Sequence, residues 1–468
     1  MADIAFARAT GAPLIPGNAV RILRDAAGHF PAWHEAIAAA RHTILFESYI
    51  IADDKVGRDF VALLAEKARA GVRVRVVYDC LGSRGGSALW QQLRASGVLV
   101  RGFNPFRFDS PLGWLMRDHR KMISVDGRIG FVTGVCVSAL WLGDAARRYD
   151  PWRDTGVEIR GPAVAELDLA FAQVWETCGG DAPSGSPVAA EAEGDVSVRV
   201  IAGTPNVANV FRLDQVVAST ARKYLWLTDA YFVGVSSYVQ ALCAAARDGV
   251  DVRLLVPGAS DLPALHALSR AGFRPLLANG VRVFEWNGTM LHAKTAVADG
   301  LWARVGSTNL NLSSWINNWE LDVAVEDEAF AQQMAAMYEE DLHNATEIVL
   351  SRRNRVRRSV KIPHEDRPRH AASGSAGRAA AGALSVGSAM GAALTNKRLL
   401  GPTESGLLVK MAFAALVFAM VTLIWPRVVA IPLGIIVAWV GFAMLGKAMQ
   451  LRRWRHRAKP RPTPGEGV

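Results

Sequence analysis

The sequence predicts an α/β protein made of two similar halves, followed by a C-terminal hydrophobic helical hairpin. Three observations predict this architecture. A strand–helix–strand pattern at 44–79 recurs at 225–257. The motif His-x-Lys-x-x-x-x-Asp-Gly occurs twice, and two long apolar runs lie at 406–425 and 428–446. Each observation constrains a different part of the chain.

The strand–helix–strand segments define the fold of each half. In 44–79, an apolar strand is followed by a helix with apolar residues at helical spacing, and a second strand begins after Gly71. The segment 225–257 repeats this order. Strand, helix and strand in sequence predict parallel pairing within an α/β unit. Between the halves, 179–195 is rich in Gly, Pro, Ser and Ala, which predicts a linker.

Each copy of the motif, at 119–127 and 292–300, reads as a strand that leads into an Asp-Gly hairpin turn. Side chains at i and i+2 share one face of a strand, so His119 and Lys121 should project together, as should the second pair. An imidazole can act as nucleophile or proton donor towards a phosphodiester, while an ammonium neutralises its oxygens. An isolated His-x-Lys is more often structural, but the identical spacing of two copies argues against that interpretation.

The flanking segments strengthen the comparison between the copies. The second copy is followed by Gly-Ser-Thr-Asn at 306–309 and Asn-Trp-Glu at 318–320, and the first by Thr-Gly-Val-Cys at 133–136 and Trp-Arg-Asp-Thr at 152–155. The paired motifs and these segments resemble the phospholipase D superfamily. Within it, 46–79 and 152–155 are most similar to bacterial cardiolipin synthases. The similarity covers roughly 17–344.

The resemblance implies two α/β sandwich halves, related by pseudo-two-fold symmetry, with the active site at their interface. It implies that a phosphatidyl group passes through a phosphohistidine to phosphatidylglycerol, which forms cardiolipin; phosphatidylethanolamine is an alternative donor. His119 would be the nucleophile and His292 the general acid and base. No metal or other cofactor is implied.

The resemblance also implies a set of site residues. The catalytic residues would be His119, Lys121, Asp126, His292, Lys294 and Asp299, and the supporting or phosphate-binding residues would be Asn309, Ser307, Asp154 and Glu320. Glu320 would orient His119, and Asp154 would orient His292. The sequence departs from the family at Cys136, where an amide is usual. A thiol is a weak hydrogen-bonding group, so we expect the two half-sites to be unequal.

The charge of the chain is divided unevenly. Residues 351–468 contain 20 Lys and Arg against 4 Asp and Glu, whereas the first 350 residues contain 33 against 39. The catalytic part therefore lacks the extended basic surface expected of a nuclease, and we expect no nucleic-acid partner. Four widely spaced cysteines predict neither a zinc site nor a disulfide framework.

The tail predicts a membrane anchor. Each apolar run is about long enough to span a bilayer, and the basic flanks place both ends of the hairpin in the cytoplasm. The basic run 352–361 suits an anionic membrane surface. The first residues lack an apolar stretch long enough for a secretory signal. We therefore expect a bacterial inner-membrane protein whose catalytic part is cytoplasmic; the oligomeric state is not indicated.

The expected organisation follows from these observations. The first half covers 1–178, the linker 179–195, the second half 196–350, a basic and Ala/Gly/Ser-rich tether 351–405, the two membrane helices 406–446, and a basic cytoplasmic tail 447–468. The alternative functions are a hydrolytic phospholipase D or phosphodiesterase, a nuclease, and a non-catalytic membrane scaffold.

Overall fold

The computed structural model describes residues 2–83, 85–106, 116–144, 149–181, 189–351 and 356–359, together with scattered positions between 413 and 449. The chain divides into two compact units, one of 1–104 and 116–404 and one of 105–115 and 405–468. All the helices and strands given below belong to the first unit.

Helices and strands alternate along most of the first unit. Its earlier elements are α1 (Ala2–Thr10), β1 (Ile15–Arg24), α2 (Asp25–Ala39), β2 (Thr43–Ser48), α3 (Lys55–Arg69), β3 (Arg73–Asp79), α4 (Ser87–Ala95), β4 (Leu99–Phe103), β5 (Lys121–Val125), β6 (Ile129–Thr133), β7 (Thr155–Arg160) and α5 (Val164–Thr177). The later elements are β8 (Val196–Gly203), α6 (Asn209–Thr220), β9 (Tyr224–Thr228), α7 (Ser236–Arg247), β10 (Asp251–Pro257), α8 (Pro263–Ala271), α9 (Phe273–Ala278), β11 (Arg282–Trp286), β12 (Thr295–Ala298), β13 (Trp302–Gly306), β14 (Glu320–Glu326), α10 (Glu328–His343), β15 (Ala345–Leu350) and β16 (Val356–Arg358).

The described strands form one sheet in which the same order occurs twice. From the centre outwards, one side is β1-β7-β6-β5-β2-β3-β4 and the other is β8-β14-β13-β12-β9-β10-β11, extended by β15 and β16. Strands β1 and β8 pair antiparallel at the centre. Each strand of the first series therefore has a counterpart in the second, and the two motif strands, β5 and β12, occupy equivalent positions.

The predicted strand–helix–strand units are present in both halves. Strands β2 and β3 pair in parallel around α3, and β9 and β10 pair in parallel around α7. Helix α3 begins where the Asp54 carboxylate accepts a 3.0 Å hydrogen bond from the Gly57 amide, a normal N-terminal cap. Its buried Val56, Phe60 and Leu63 recur at helical spacing and so face the sheet. The α/β prediction is confirmed.

Helices cover both faces of the sheet. On one face, α2, α3 and α4 pack on the first series of strands, and α6, α7 and α9 pack on the second. On the other face, α5 and α10 share one apolar cluster that includes Phe171, Met334, Val132 and Val323. This shared cluster joins strands of both series, and burial of each large apolar side chain contributes roughly 1.5–3 kcal/mol.

The C-terminal prediction falls largely on residues outside those described. The apolar runs 406–425 and 428–446 contain only scattered described positions, and the tether lies beyond them. Over the part of the chain that is described, no helix combines the length and apolar character needed to cross a bilayer.

Candidate active site

The two His–Lys pairs lie at the starts of equivalent strands. His119 is two residues before Lys121, the first residue of β5, and His292 is two residues before Lys294, which precedes β12. All four side chains are buried. The Asp-Gly hairpins predicted after them are present, because β5 pairs antiparallel with β6 and β12 with β13.

Backbone hydrogen bonds connect each motif to the other half of the chain. The His119 amide donates to the Trp319 carbonyl at 2.9 Å, and the His292 amide donates to the Arg153 carbonyl at 2.7 Å. In each case, the residue that follows the acceptor is acidic. These bonds therefore place a carboxylate from one half beside the imidazole of the other.

Both histidines contact those carboxylates. His119 Nδ1 lies 2.9 Å from Glu320 Oε2, and His292 Nδ1 lies 2.8 Å from Asp154 Oδ2. These are the two pairs that the resemblance implied. A carboxylate at Nδ1 favours the tautomer that carries its proton there, which leaves the Nε2 lone pair for attack or proton transfer.

The electrostatics of the second pair favour a neutral imidazole beside an ionised carboxylate. Burial, assisted by the Lys294 ammonium, lowers the pKa of His292 to about 3. Burial opposes ionisation of Asp154, but His292 and Lys294 outweigh it and hold its pKa below the usual range. Burial also lowers the pKa of Lys294 to about 8. An anionic phosphodiester in the site would favour protonation of the imidazole.

The first pair has the same polarity. Burial lowers the pKa of His119, although the Glu320 carboxylate opposes this. Burial raises the pKa of Glu320, but His119 and Lys121 reverse the effect and bring that pKa below its usual range. Both halves therefore hold a neutral imidazole at neutral pH, as a nucleophile requires.

Different groups support the two carboxylates. Trp141 Nε1 donates a 2.8 Å hydrogen bond to Asp154 Oδ2. Ser307 Oγ donates at 2.6 Å to Glu320 Oε2, and Asn318 Nδ2 donates at 3.1 Å to Glu320 Oε1. Ser307 is fully buried, so its hydroxyl orients the carboxylate rather than facing the cavity.

Each lysine is fixed by its own motif and by an aromatic ring. Both ammonium groups donate to the carbonyl of the motif histidine. Lys121 Nζ lies 5.2 Å from the centre of the Tyr49 ring, and Lys294 Nζ lies 5.9 Å from that of Tyr231. Lys294 Nζ is also 3.0 Å from His292 Nε2. Such contacts hold a positive charge at the point where a phosphate oxygen would meet the imidazole.

The two histidines line one cavity of about 670 Å³, part of which is open to solvent. Lys121, Cys136 and Asn309 also line it, and an apolar portion includes Leu262, Leu265 and Trp152. A polar centre with an apolar side suits a substrate that has a charged head and aliphatic chains. Among residues with described positions, no group of three or more His, Cys, Asp or Glu side chains is arranged to hold a metal ion.

The expected inequality between the half-sites is visible at Cys136 and Asn309. Both side chains are buried and line the cavity, at equivalent distances after their motifs. Burial raises the pKa of the Cys136 thiol, which keeps it neutral. Asn309 Oδ1 is buried without a hydrogen-bond partner among the described residues. Only the second half therefore presents an amide to a bound phosphate.

Asp126 and Asp299 do not belong to this cavity, which corrects their assignment as catalytic residues. The Asp126 carboxylate accepts three hydrogen bonds of 2.7–2.8 Å from the backbone amides of 41–43. The Asp299 carboxylate does the same at 2.8–2.9 Å with the amides of 222–224. Each has a positive φ, as a tight Asp-Gly turn requires. They tie the hairpin turn to the start of β2 or β9.

The sequence analysis missed several residues that line the cavity, namely Tyr49, Tyr231 and Arg117. Tyr49 and Tyr231 follow β2 and β9, and nothing in the sequence fixes which strand lies beside the motif. Arg117 carries a recognisable signal, because it lies two residues before His119 in an extended segment. The alternation that joins His119 to Lys121 therefore includes Arg117 as well.

Comparison with known proteins gives consistent relatives. Residues 217–342 match the family model described as "Cardiolipin synthase, PLD-like domain". Cardiolipin synthase A of Pseudomonas aeruginosa is 35% identical over 368 residues, which cover 76% of this chain and 74% of that protein. Cardiolipin synthase of Geobacillus kaustophilus is 33% identical over 344 residues, which cover 72% of this chain and 68% of that protein.

Solved structures share the fold at low sequence identity. The phosphatidylserine synthase of Haemophilus influenzae superposes with a TM-score of 0.59 at 14% identity, covering 74% of this chain and 91% of that one. The polyphosphate kinase of Porphyromonas gingivalis gives a TM-score of 0.52 at 14% identity, covering 79% and 53%. At these identities the likeness concerns the fold alone.

Proposed function

Because the chain belongs to the cardiolipin synthase family of the phospholipase D superfamily, we propose that it forms cardiolipin by transphosphatidylation between two molecules of phosphatidylglycerol. It is a phosphatidyltransferase: one lipid donates its phosphatidyl group, the second accepts it, and glycerol is released. The observation that carries the proposal is the pair of His–carboxylate contacts across the two halves, with both imidazoles on one cavity.

In the first step, His119 Nε2 attacks the phosphorus of the donor lipid. The P–N bond forms as the P–O bond to the head-group glycerol breaks, and protonated His292 gives its proton to the departing oxygen. A phosphatidyl-His119 intermediate remains. Burial keeps His119 neutral and therefore nucleophilic, and Glu320 stabilises the positive charge that its ring acquires.

The bound phosphate is neutralised by the side chains that surround it. Lys121 and Lys294 offer positive charge, and Asn309 offers an amide, to the non-bridging oxygens. These groups are held in position before the substrate arrives, so little reorganisation accompanies the transition state. Asp154 and Glu320 are positioning residues, and Ser307 acts through Glu320.

In the second step, neutral His292 takes the proton from a terminal hydroxyl of the acceptor phosphatidylglycerol. The hydroxyl oxygen attacks the phosphorus, the new P–O bond forms, and the P–N bond to His119 breaks. Cardiolipin leaves, and both histidines return to their starting protonation states. Phosphatidylethanolamine would enter the same cycle as a donor, with ethanolamine as its leaving group.

The proposal includes a membrane location. The apolar runs 406–425 and 428–446 would anchor the chain as a hairpin in the bacterial inner membrane, and the basic flanks support a cytoplasmic catalytic part. Residues 1–178 and 196–350 would be the two sandwich halves related by pseudo-two-fold symmetry. The repeated strand order supports that division, and 351–405 would be the tether.

The test is the purified full-length protein in vesicles of phosphatidylglycerol, with the lipid products resolved by mass. We expect cardiolipin together with free glycerol in equal amounts. Phosphatidic acid without cardiolipin would instead identify a hydrolytic phospholipase D, because water would then be the acceptor. No turnover of any phospholipid would leave a scaffold role.

A further inference from the structure

Arg117 is a third cation on the wall of the catalytic cavity. It lies two residues before His119, which is itself two residues before Lys121, and all three line the cavity. The segment is extended, because Arg117 and His119 flank Trp319 through backbone hydrogen bonds. Adjacent side chains of the series are therefore roughly 7 Å apart along one face.

This cation has no counterpart in the other half. The Trp319 amide donates to the Arg117 carbonyl, and the Arg153 amide donates to the Met290 carbonyl in the equivalent ladder. Arg117 therefore corresponds to Met290, an apolar residue that does not line the cavity. The histidines and lysines are duplicated, whereas the guanidinium is present on one side only.

The guanidinium is held in place but is not saturated. Arg117 Nη1 donates at 2.9 Å to Asp79 Oδ1, and Nη2 lies 3.4 Å from the Asn104 carbonyl. Its Nε is buried without a partner among the described residues, although the side chain is only 4% exposed. The Asp79 carboxylate also accepts three backbone amides, which offset part of its charge. Arg117 thus retains donors and positive charge for an anion.

We propose that Arg117 binds the phosphodiester of the acceptor lipid, the phosphate that does not react. This inference rests on the proposed function. Each catalytic cycle brings two phosphodiesters into the cavity: the duplicated motifs act on one, and the other remains intact. In phosphatidylglycerol, the attacking hydroxyl and the intact phosphate are separated by the three carbons of glycerol.

The position of Arg117 fits that separation. The offset from His119 runs along the wall of the cavity rather than across it, so a flexible three-carbon arm can reach the guanidinium from the attacking oxygen. The planar fork of arginine matches two phosphate oxygens at once. A free glycerol or a water molecule carries no phosphate and gains nothing from this residue. Arg117 would therefore select a phospholipid as acceptor.

The experiment compares two acceptors in the same vesicles of phosphatidylglycerol. Cardiolipin formation requires the phosphorylated acceptor, whereas incorporation of isotope-labelled glycerol into phosphatidylglycerol requires only the phosphatidyl-enzyme and a free alcohol. In Arg117→Gln, we expect cardiolipin formation to fall about tenfold or more, with glycerol exchange changed less than about twofold. Arg117→Lys keeps the charge without the fork and should be intermediate in cardiolipin formation.

The controls separate this inference from folding and from the proposed function. Arg117→Lys retains a cation beside Asp79, so it carries the test if Arg117→Gln unfolds. Arg58→Gln removes an exposed arginine that pairs with Asp53 away from the cavity, and should change neither assay. Equal loss of both activities in a folded Arg117 variant, or no loss of either, would overturn the inference. A wild-type protein that produces neither product would contradict the proposed function instead.

Discussion

Asp154 lies 2.8 Å from His292 although the two residues are 138 positions apart and belong to different halves of the sheet. The same carboxylate oxygen accepts a 2.8 Å hydrogen bond from Trp141. The histidine is therefore oriented by the half that does not carry it, and the same is true of His119 with Glu320. Neither half contains a complete catalytic unit on its own.

The first prediction concerns these carboxylates. In Asp154→Asn, the amide cannot stabilise the imidazolium or fix the correct tautomer, so kcat should fall about 10³–10⁴-fold. Glu320→Gln should lower kcat comparably through His119. Cardiolipin production in phosphatidylglycerol vesicles measures both effects. Asp53→Asn, an exposed carboxylate that pairs with Arg58, is the matched control. Retention of more than a tenth of the activity in Asp154→Asn would contradict the orienting role.

The second prediction separates the roles of the two histidines. With a phosphatidyl ester of a good leaving group such as p-nitrophenol, departure needs no proton, so the general acid becomes dispensable for the first step. His292→Ala should then still release a burst of p-nitrophenol and trap phosphatidyl label on the protein. His119→Ala should do neither. The opposite pattern would exchange the roles, and unchanged turnover in both variants would reject the covalent mechanism.

Local signals explain how much could be predicted from the sequence. The order of elements in 44–79 and the Asp-Gly turns depend on neighbouring residues, and both are found as predicted. The contact between His119 and Glu320 spans 201 residues, so it came from the resemblance and not from spacing. Tyr49 was missed because sequence does not give strand order. Arg117 was missed although the alternation that pairs His119 with Lys121 includes it.

The third prediction follows from the correction at Asp126 and Asp299. Each carboxylate accepts three backbone hydrogen bonds from the start of a neighbouring strand. Asp126→Ala and Asp299→Ala should each lower the free energy of unfolding by roughly 1–3 kcal/mol, because these amides lose their acceptor. The kcat of folded protein should change less than about threefold. Thermal unfolding and activity well below the transition measure the two effects. A large loss of kcat without loss of stability would restore a catalytic role.

The fourth prediction tests the inequality of the half-sites. Asn309 offers an amide to the cavity, whereas the equivalent Cys136 offers a neutral thiol. Asn309→Ala should lower kcat about 10²–10³-fold, the usual cost of a lost donor to a developing oxyanion. Cys136→Ala should lower it less than about fivefold, since a thiol is a weak donor. Equal losses from the two substitutions would mean that the half-sites share the phosphate evenly.

The last prediction concerns alkaline pH. Burial lowers the pKa of Lys294 to about 8, so in the free enzyme this side chain is charged below that pH and neutral above it. Its charge is needed against the phosphate oxygens, and kcat/KM reports the free enzyme, so kcat/KM should decline as pH rises through about 8. Lys294→Arg carries a guanidinium that stays protonated, and its profile should remain flat to well above pH 8. Vesicle binding measured at each pH excludes a change in lipid association. A decline at the same pH in Lys294→Arg would show that another group controls it.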